Sequence, residues 1–403
     1  MKQRFKTGDK IDVTIESVAF GGDGVARVRE MVLFVPFTVD GDRASVRITE
    51  VKKTFMRGKV EKLISPSPGR VMPKCPYYLR CGGCQYQHID YNHQLELKKT
   101  QVVESFRRIG KFTSPPVEDI VSSPLAFGYR GKAEFHVSER RGHPPQMGFM
   151  DVTGSRIVDI ERCEIVNETI NAAFSDFRRS VLAGRVRIES GGTRIFWSGG
   201  NSKSLQGSES GDAPFITRIV KGREILAPAG GFFQANLSLV DTLVDTVCEM
   251  SALKGEETVL DLYAGAGLFS LFLSDRAGEI IAVEMDGDAA RAARSNFERF
   301  GRHSAIVNEG DVGVVLRGLL EEKKGSADVI VLDPPRAGCE KEVLDLLAEW
   351  RPKRLIYISC DPATQARDIR HLADTGFSLQ LLQPFDMFPQ TKHIEVIALL
   401  AGC

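Results

Sequence analysis

The stretch Val259-Leu260-Asp261-Leu262-Tyr263-Ala264-Gly265-Ala266-Gly267 decides the fold of this chain. Its apolar residues indicate a buried strand, and its glycines indicate a tight turn where a helix begins. Glycine at such a turn lets a ligand lie against the backbone, and the start of the following helix favours a negatively charged group. We therefore expect an α/β sheet with a ligand-binding turn at the carboxyl end of this strand.

Strand-like and helical segments alternate around this stretch throughout residues 228–403. The apolar runs lie at residues 258–262, 280–284, 329–333, 355–359, 379–382 and 394–400. Helical patterns separate most of these runs, and this alternation is typical of a doubly wound sheet. The sequence thus predicts an α/β domain over 228–403.

Two further domains are expected before it. Residues 1–62 contain short alternating runs and glycine turns, which predict five strands in an OB-like barrel, a shape that often binds oligonucleotides. A barrel that serves only for packing is the alternative. Residues 63–227 combine a helix near 91–109 with strand-like runs, and we interpret them as a central α+β domain. Within it, residues 198–212 are rich in glycine and serine and predict a flexible insertion.

Composition narrows the class of protein. The 403 residues include 53 basic and 53 acidic side chains, so a positive field for a nucleic-acid partner has to be local. Apolar runs stay well below the roughly 18 residues that a membrane span needs, and the basic N-terminus lacks the apolar core of a secretory signal. We expect a cytoplasmic monomer with no membrane association.

A carboxylate follows the glycine turn at the spacing of a nucleotide site. Glu284 ends the next strand, 23 residues beyond Asp261, and a carboxylate at that place commonly binds ribose hydroxyls. The turn has no third glycine at the dinucleotide spacing. A nucleotide-type cofactor is therefore predicted, with a purely structural turn as the alternative.

A cysteine and a glutamate supply a candidate reaction. Cys360 follows the predicted strand at 355–359, where a thiol is a candidate nucleophile, and Glu395 lies at the start of the last strand in apolar surroundings. The C5 carbon of uracil is a poor nucleophile, but thiolate addition at C6 makes C5 an enolate carbon that attacks a methyl sulfonium. A carboxylate then removes the C5 proton. The alternatives are an inert buried thiol and a charge that protects a sheet edge.

These motifs together resemble the RNA 5-methyluridine methyltransferase family. The turn with Glu284 is similar to the S-adenosylmethionine loop of class I methyltransferases, and the run Asp333-Pro334-Pro335-Arg336 is similar to a signature of nucleic-acid methyltransferases. Arg336 stands where amino methylases carry an aromatic residue, which argues against amino-group methylation. The N-terminal barrel resembles the TRAM domain, an RNA-binding module.

The resemblance implies roles for individual residues. Cys360 corresponds to the nucleophile and Glu395 to the base, and the topology of the family places the last strand antiparallel beside the strand that precedes Cys360. The residues that correspond to contacts with S-adenosylmethionine are Gln234, Tyr263, Glu284, Asp311 and Asp333.

Four more cysteines predict a metal centre. Cys75, Cys81 and Cys84 form a C-x5-C-x2-C array, and Cys163 can supply a fourth thiolate. Four thiolates suit zinc or an iron–sulfur cluster, but structural zinc usually uses two separated C-x2-C pairs. The array therefore favours a 4Fe-4S cluster, which the family resemblance also implies, over zinc or no metal.

The resulting hypothesis is methylation of uridine C5 in a structured RNA. The combination of a TRAM-like barrel with a cluster is typical of the ribosomal enzymes in the resembling family, which favours bacterial 23S rRNA over tRNA. A non-catalytic iron–sulfur protein that binds RNA is an alternative of a different class, and a redox sensor is a third.

Overall fold

The structure is a computed structural model that describes residues 5–138, 143–186, 193–197, 215–321 and 327–402. The predicted insertion over 198–212 lies outside these residues. Within them, none of the helices combines the length and the apolar character that a membrane crossing requires.

The N-terminal sheet, within the described residues 5–65, has six strands, one more than predicted, because the two-residue β2 joins it. They are β1 (Lys10–Thr14), β2 (Ser17–Val18), β3 (Asp23–Val28), β4 (Met31–Pro36), β5 (Arg43–Val51) and β6 (Phe55–Ser65). Their order in the sheet is β1-β5-β6-β4-β3-β2. Side chains such as Leu33, Val46 and Met56 are fully buried in a core of their own, which confirms the predicted N-terminal β domain.

The central region contains a second sheet and two helices. Its elements are α1 (Tyr91–Arg108), β7 (Lys132–Ser138), β8 (Gln146–Met150), β9 (Ile157–Asp159), α2 (Glu168–Leu182) and β10 (Thr193–Trp197). The strands take the order β10-β7-β8-β9. Phe135 on β7 stacks on Phe174 of α2 with ring centroids 3.9 Å apart, so α2 covers this sheet.

The C-terminal region begins with the hairpin β11 (Phe215–Val220) and β12 (Arg223–Pro228), followed by a large sheet and its helices. The first half of these elements is α3 (Val240–Ser251), β13 (Thr258–Leu262), α4 (Leu268–Leu273), β14 (Glu279–Glu284), α5 (Gly287–Arg299) and β15 (Ala305–Glu309). The second half is α6 (Val312–Glu321), β16 (Val329–Leu332), α7 (Lys341–Trp350), β17 (Arg354–Ser359), α8 (Pro362–Asp374), β18 (Ser378–Phe385) and β19 (Glu395–Ala401).

This sheet has the predicted doubly wound form. Its order is β15-β14-β13-β16-β17-β19-β18. The pairs among β13 to β17 are parallel, whereas β19 runs antiparallel to both β17 and β18. Successive residues of β13 enter different cores, Val259 on one face and Leu260 on the other. Both faces of the sheet are therefore covered, which explains the continuous apolar runs in the sequence.

One strand of this sheet was not predicted. β15, at the edge of the sheet, has only partly buried or exposed residues and ends in Asn308 and Glu309. Because an edge strand needs no continuous apolar run, its sequence lacks the signal that identified the central strands.

Parts of the chain before residue 228 pack on the C-terminal sheet. Helix α1 lies against α8, and its Val102 and Phe106 belong to the same core as Leu260. Residues Val117 and Val121 form parallel bridges to β18. The domain boundaries at residues 62 and 227 stay predictions, but α1 connects the cysteine-rich segment directly to the C-terminal sheet.

Candidate active site

The antiparallel pair β17–β19 brings Cys360 and Glu395 together. Ser359, the last residue of β17, pairs with Val396 of β19. Cys360 follows Ser359 and Glu395 precedes Val396, so the antiparallel arrangement brings these two residues close together where the strands meet, and the charge of Glu395 acts on the thiol. Cys360 is half-buried and Glu395 is 4% exposed. The two predicted catalytic side chains thus meet at one edge of the sheet.

The backbone around Cys360 is fixed by the start of α8. Asp361 caps this helix, and its carboxylate accepts hydrogen bonds of 3.0 Å from the N–H groups of Ala363 and Thr364. The buried Gln365 donates to the carbonyl of Tyr357 at 2.8 Å and to that of Val396 at 3.0 Å. One side chain of α8 therefore joins the two strands just before they reach the site.

Cys360 lies among charges of both signs. Burial raises the pKa of the Cys360 thiol to about 11, the nearby Glu395 acts in the same direction, and a hydrogen bond from Arg336 opposes both. Near neutral pH the thiol is therefore mostly protonated, and Arg336 is the cation that stabilises its thiolate form.

Burial is also the main cause of the pKa shifts of the groups near Cys360. It raises the pKa of Glu395 well above its ordinary value; Asp333 raises it further and Arg336 lowers it. Burial and the charge of Arg336 lower the pKa of His393 to about 4, which keeps its imidazole neutral near pH 7. The guanidinium Nη2 of Arg336 lies 3.4 Å from His393 Nδ1. An arginine can only donate, so Nδ1 accepts and Nε2 carries the proton.

Two acidic residues sit beside each other at the ends of adjacent strands. Asp261 on β13 is fully buried, and its Oδ2 accepts from the backbone N–H of Ser270 at 3.0 Å and from the Ser270 hydroxyl. Its Oδ1 has no hydrogen-bond partner in the described part of the chain. Burial raises the pKa of Asp261 to about 7, and burial together with Asp261 raises the pKa of Asp333 to about 7. A ligand with positive charge would relieve both carboxyl groups.

The glycine turn has the geometry that the sequence predicts. Gly265 and Gly267 have φ values of 56° and 76°, in the left-handed region that favours glycine. Tyr263, with φ of 63°, takes the same conformation without being glycine. Glu284 accepts from the N–H groups of Gly265 and Asp286, both at 2.7 Å. Each of its oxygens retains a second lone pair, which is available to a ligand.

The other predicted contact residues occupy different places. Tyr263 and Asp311 follow parallel strands β13 and β15, at the same edge of the sheet as Glu284 and Asp333. Asp311 is exposed and accepts from the Val314 N–H at 3.1 Å, at the start of α6. Gln234, 5% exposed, comes from the connection between β12 and α3.

Two residues near Cys360 were not identified from the sequence. Arg336 acts on the Cys360 thiol, and His393 contacts Arg336. Neither contact has a sequence signal, because His393 lies in the connection before β19 and not on a strand whose alternation could place it.

The four predicted metal ligands line one cavity of about 270 Å³: Cys75, Cys81, Cys84 and Cys163. Gln87 accepts from the Cys75 N–H at 3.0 Å, and Asn171 accepts from the Cys163 N–H at 2.9 Å. These two side chains fix the backbone at the first and the last of the four cysteines. Within the described ranges, however, His, Cys, Asp and Glu side chains form no group of three or more in a metal-binding arrangement. The fold therefore brings the four cysteines to one cavity, but their side chains do not have the arrangement of a metal site.

Comparison with known proteins gives matches along the whole chain. A family model described as tRNA (Uracil-5-)-methyltransferase matches residues 316–402, and a TRAM domain model matches residues 4–60. An RNA methyltransferase from Nostoc sp. is 31% identical, with 99% of this chain and 98% of that protein covered. One from Halalkalibacterium halodurans is 33% identical, with 97% of each covered.

A solved structure shares the fold. The Pyrococcus abyssi tRNA (uracil-54, C5)-methyltransferase, crystallised with S-adenosyl-L-homocysteine, superimposes with a TM-score of 0.73 at 24% identity. The match covers 97% of this chain and 100% of that one. The overall fold therefore has a precedent in a known structure.

The charges around Cys360 predict its reactivity. Because alkylation requires the thiolate and the pKa of Cys360 is raised to about 11, we expect its rate with iodoacetamide to increase about tenfold per pH unit between pH 8 and 10. Arg336→Gln removes the hydrogen bond and the positive charge that lower this pKa, so alkylation at each pH should slow by about tenfold. Mass spectrometry of the Cys360 peptide measures the rate.

Cys248 serves as the internal control for this experiment. It is also half-buried, and burial raises its pKa to about 11. Its alkylation should be equal in wild type and Arg336→Gln. Equal rates at Cys360 in the two proteins would show that Arg336 does not stabilise the thiolate.

Proposed function

Because the chain belongs to a family of RNA methyltransferases, we propose that it transfers a methyl group from S-adenosylmethionine to C5 of a uridine in RNA. The observation that carries the proposal is the placement of Cys360 and Glu395 at the end where β17 and β19 meet, with Arg336 near enough to lower the pKa of the thiol. A nucleophile, a base and a cation that stabilises negative charge are the three groups that this reaction needs.

The proposed reaction proceeds in three steps. The Cys360 thiolate forms a bond to C6 of uracil, and the C5–C6 electron pair moves toward the O4 carbonyl to give an enolate. C5 then takes the methyl group, and the bond from that methyl to the donor sulfur breaks. Finally Glu395 removes the C5 proton. The electron pair of the C5–H bond restores the C5–C6 double bond, and the Cys360 thiolate leaves C6.

The environment of Glu395 suits the last step. A buried carboxylate with a raised pKa is a stronger base than an exposed one once it is ionised. Arg336 acts on both reacting groups, since it lowers the pKa of Glu395 and that of Cys360. We therefore assign Arg336 to the stabilisation of negative charge that moves between thiolate, enolate and carboxylate.

S-adenosylmethionine supplies an electrophilic methyl group when bound. We propose that Gln234, Tyr263, Glu284, Asp311 and Asp333 hold it. The donor carries positive charge on its ammonium and sulfonium groups, and the two carboxyl groups of Asp261 and Asp333, with raised pKa values and an unpartnered oxygen, suit a cation. Glu284 keeps lone pairs for ribose hydroxyls.

We also propose that Cys75, Cys81, Cys84 and Cys163 hold a 4Fe-4S cluster. In support, the four cysteines line one cavity and each is a free thiol within the described residues. A cluster bound there would join the segment around residues 75–84 to the segment around residue 163, and no step of the proposed reaction requires it.

The RNA target is proposed to be 23S rRNA, because a TRAM domain occurs here together with the cysteine array. tRNA is the second candidate. It is favoured by the description of the family model that matches residues 316–402 and by the substrate named for the Pyrococcus abyssi enzyme.

Removal of the nucleophile tests the reaction. We expect wild type to transfer labelled methyl groups from S-adenosylmethionine to uridine C5, and Cys360→Ala to lose about 10⁴-fold or more of that rate, because no other group can activate C6. Unmodified 23S rRNA and unmodified tRNA are offered separately, and nucleoside mass spectrometry identifies the product. Cys248→Ala, which changes a thiol of α3, is the matched control and should retain full activity.

Two results would contradict this expectation. Full activity of Cys360→Ala would exclude the covalent route. RNA binding by wild type without binding of S-adenosylmethionine or methyl transfer would instead favour the non-catalytic alternative.

Removal of the base separates adduct formation from adduct breakdown. In Glu395→Gln the attack at C6 and the methyl transfer can occur, but the C5 proton has no acceptor. We expect a covalent protein–RNA adduct that withstands denaturing electrophoresis, with turnover reduced by about 10²–10⁴-fold. Glu256→Gln, at an exposed position, should behave as wild type. Slow turnover without adduct would remove Glu395 from the role of base.

The cluster is tested by metal analysis. Protein prepared without oxygen should contain iron and acid-labile sulfide in equal amounts and absorb visible light, and Cys163→Ala should lose most of the iron because one of four ligands is gone. Cys248→Ala should keep it. Stoichiometric zinc, or no metal in wild type, would contradict the proposal.

A further inference from the structure

Residues 386–394 form the loop that joins β18 to β19 and leads directly into Glu395. Building on the function proposed above, we propose that Gln94 and Lys98 of helix α1 are positioning residues that fix this loop, and through it Glu395. Neither side chain needs to touch RNA for this role. The proposal rests on a set of buried contacts that converge on the loop.

The first contact is a fully buried ion pair. Lys98 Nζ lies 2.6 Å from Asp386 Oδ1, and both side chains are 0% exposed. The same ammonium donates to the carbonyl of Phe388 at 3.1 Å. Desolvation offsets much of the attraction within a buried pair, so its main effect here is to fix the direction in which the loop leaves β18.

The second contact is a reciprocal pair of amides. Gln94 Nε2 donates to Gln390 Oε1 at 3.1 Å, and the backbone N–H of Gln390 donates to Gln94 Oε1 at 3.0 Å. Gln390 has φ of 68°, a conformation that residues other than glycine rarely adopt. Such a backbone persists only where its surroundings hold it, and Gln94 provides that support.

A third set of contacts comes from the segment that follows Cys84. The N–H groups of Gln85 and Tyr86 donate to the carbonyl of Gln390 at 3.1 and 2.9 Å. The hydroxyl of Tyr129 donates to the carbonyl of Pro389 at 3.0 Å. The loop is thus held at four of its residues, Asp386, Phe388, Pro389 and Gln390, by parts of the chain that lie outside the C-terminal sheet.

The backbone of the nucleophile depends less on this loop. Cys360 lies between β17 and the capped start of α8, whereas Glu395 is the first residue after the loop. The loop acts on the thiol only indirectly, through the contact of His393 with Arg336. A displacement of the loop should therefore move the base more than the nucleophile. Adduct breakdown should slow while adduct formation continues, and a general loss of structure would not produce this pattern.

The test compares three methionine variants. Gln94→Met removes the reciprocal amide bonds and keeps a side chain of similar length. We expect adduct breakdown to slow by about 10- to 100-fold, because a small misplacement of a catalytic group costs about that much. The covalent RNA adduct should accumulate, with KM values for RNA and S-adenosylmethionine unchanged. Lys98→Met should have a larger effect, since it leaves Asp386 buried and unpaired.

Lys99→Met is the matched control. Lys99 follows Lys98 in the helix, but its ion pair with Asp119 is at the surface, with side-chain exposures of 36% and 99%. It should show wild-type kinetics and no adduct. Circular dichroism confirms folding of each variant, and if Lys98→Met does not fold, Gln94→Met decides the question.

The outcomes are distinct. Gln94→Met with wild-type turnover would overturn the positioning role, and so would a folded Gln94→Met in which adduct formation and breakdown slow equally. If wild type itself transfers no methyl group to uridine, the proposed function fails, and the role of Gln94 and Lys98 fails with it.

Discussion

The candidate site depends on the reversed strand of an otherwise parallel sheet. In a parallel sheet all carboxyl ends meet at one edge, and a residue at the start of a strand lies at the opposite edge. Because β19 runs against β17, its first residue returns to the edge where β17 ends, and Glu395 comes close to Cys360. The direction of β19 therefore brings together the two residues that the proposed covalent reaction needs.

The same edge concentrates negative charge in a dry environment. Burial raises the pKa of Asp261, Asp333 and Glu395, and Arg336 is the cation that lowers the pKa of Glu395 and of the Cys360 thiol. The negative charge of these buried carboxylates is poorly balanced without a cationic ligand. This imbalance is an electrostatic reason for a sulfonium donor to bind there. In the proposed function, donor binding and the chemistry at the thiol are linked through Asp333, whose charge acts on both Cys360 and Glu395.

The strands that carry the site could be predicted because their signal is local. The apolar runs before Asp261, Asp333 and Cys360 mark central strands, and their order along the chain fixes the edge at which they end. The sequence does not indicate where a long side chain points, so the interaction of Arg336 with Cys360 could not be predicted. The packing of α1 on α8 was missed for a related reason, since its surface is complementary to residues far along the chain.

The distance along the chain between Gln94 and Gln390 has a consequence for synthesis. These partners are separated by 296 positions. At a translation rate of about 5–20 residues per second, helix α1 emerges about 15–60 s before the residues that complete its contacts. During that interval its buried lysine and glutamine lack their native partners, and the base is not yet made. Helix α1 therefore gains the partners of these two buried side chains only after nearly the whole chain has been synthesised.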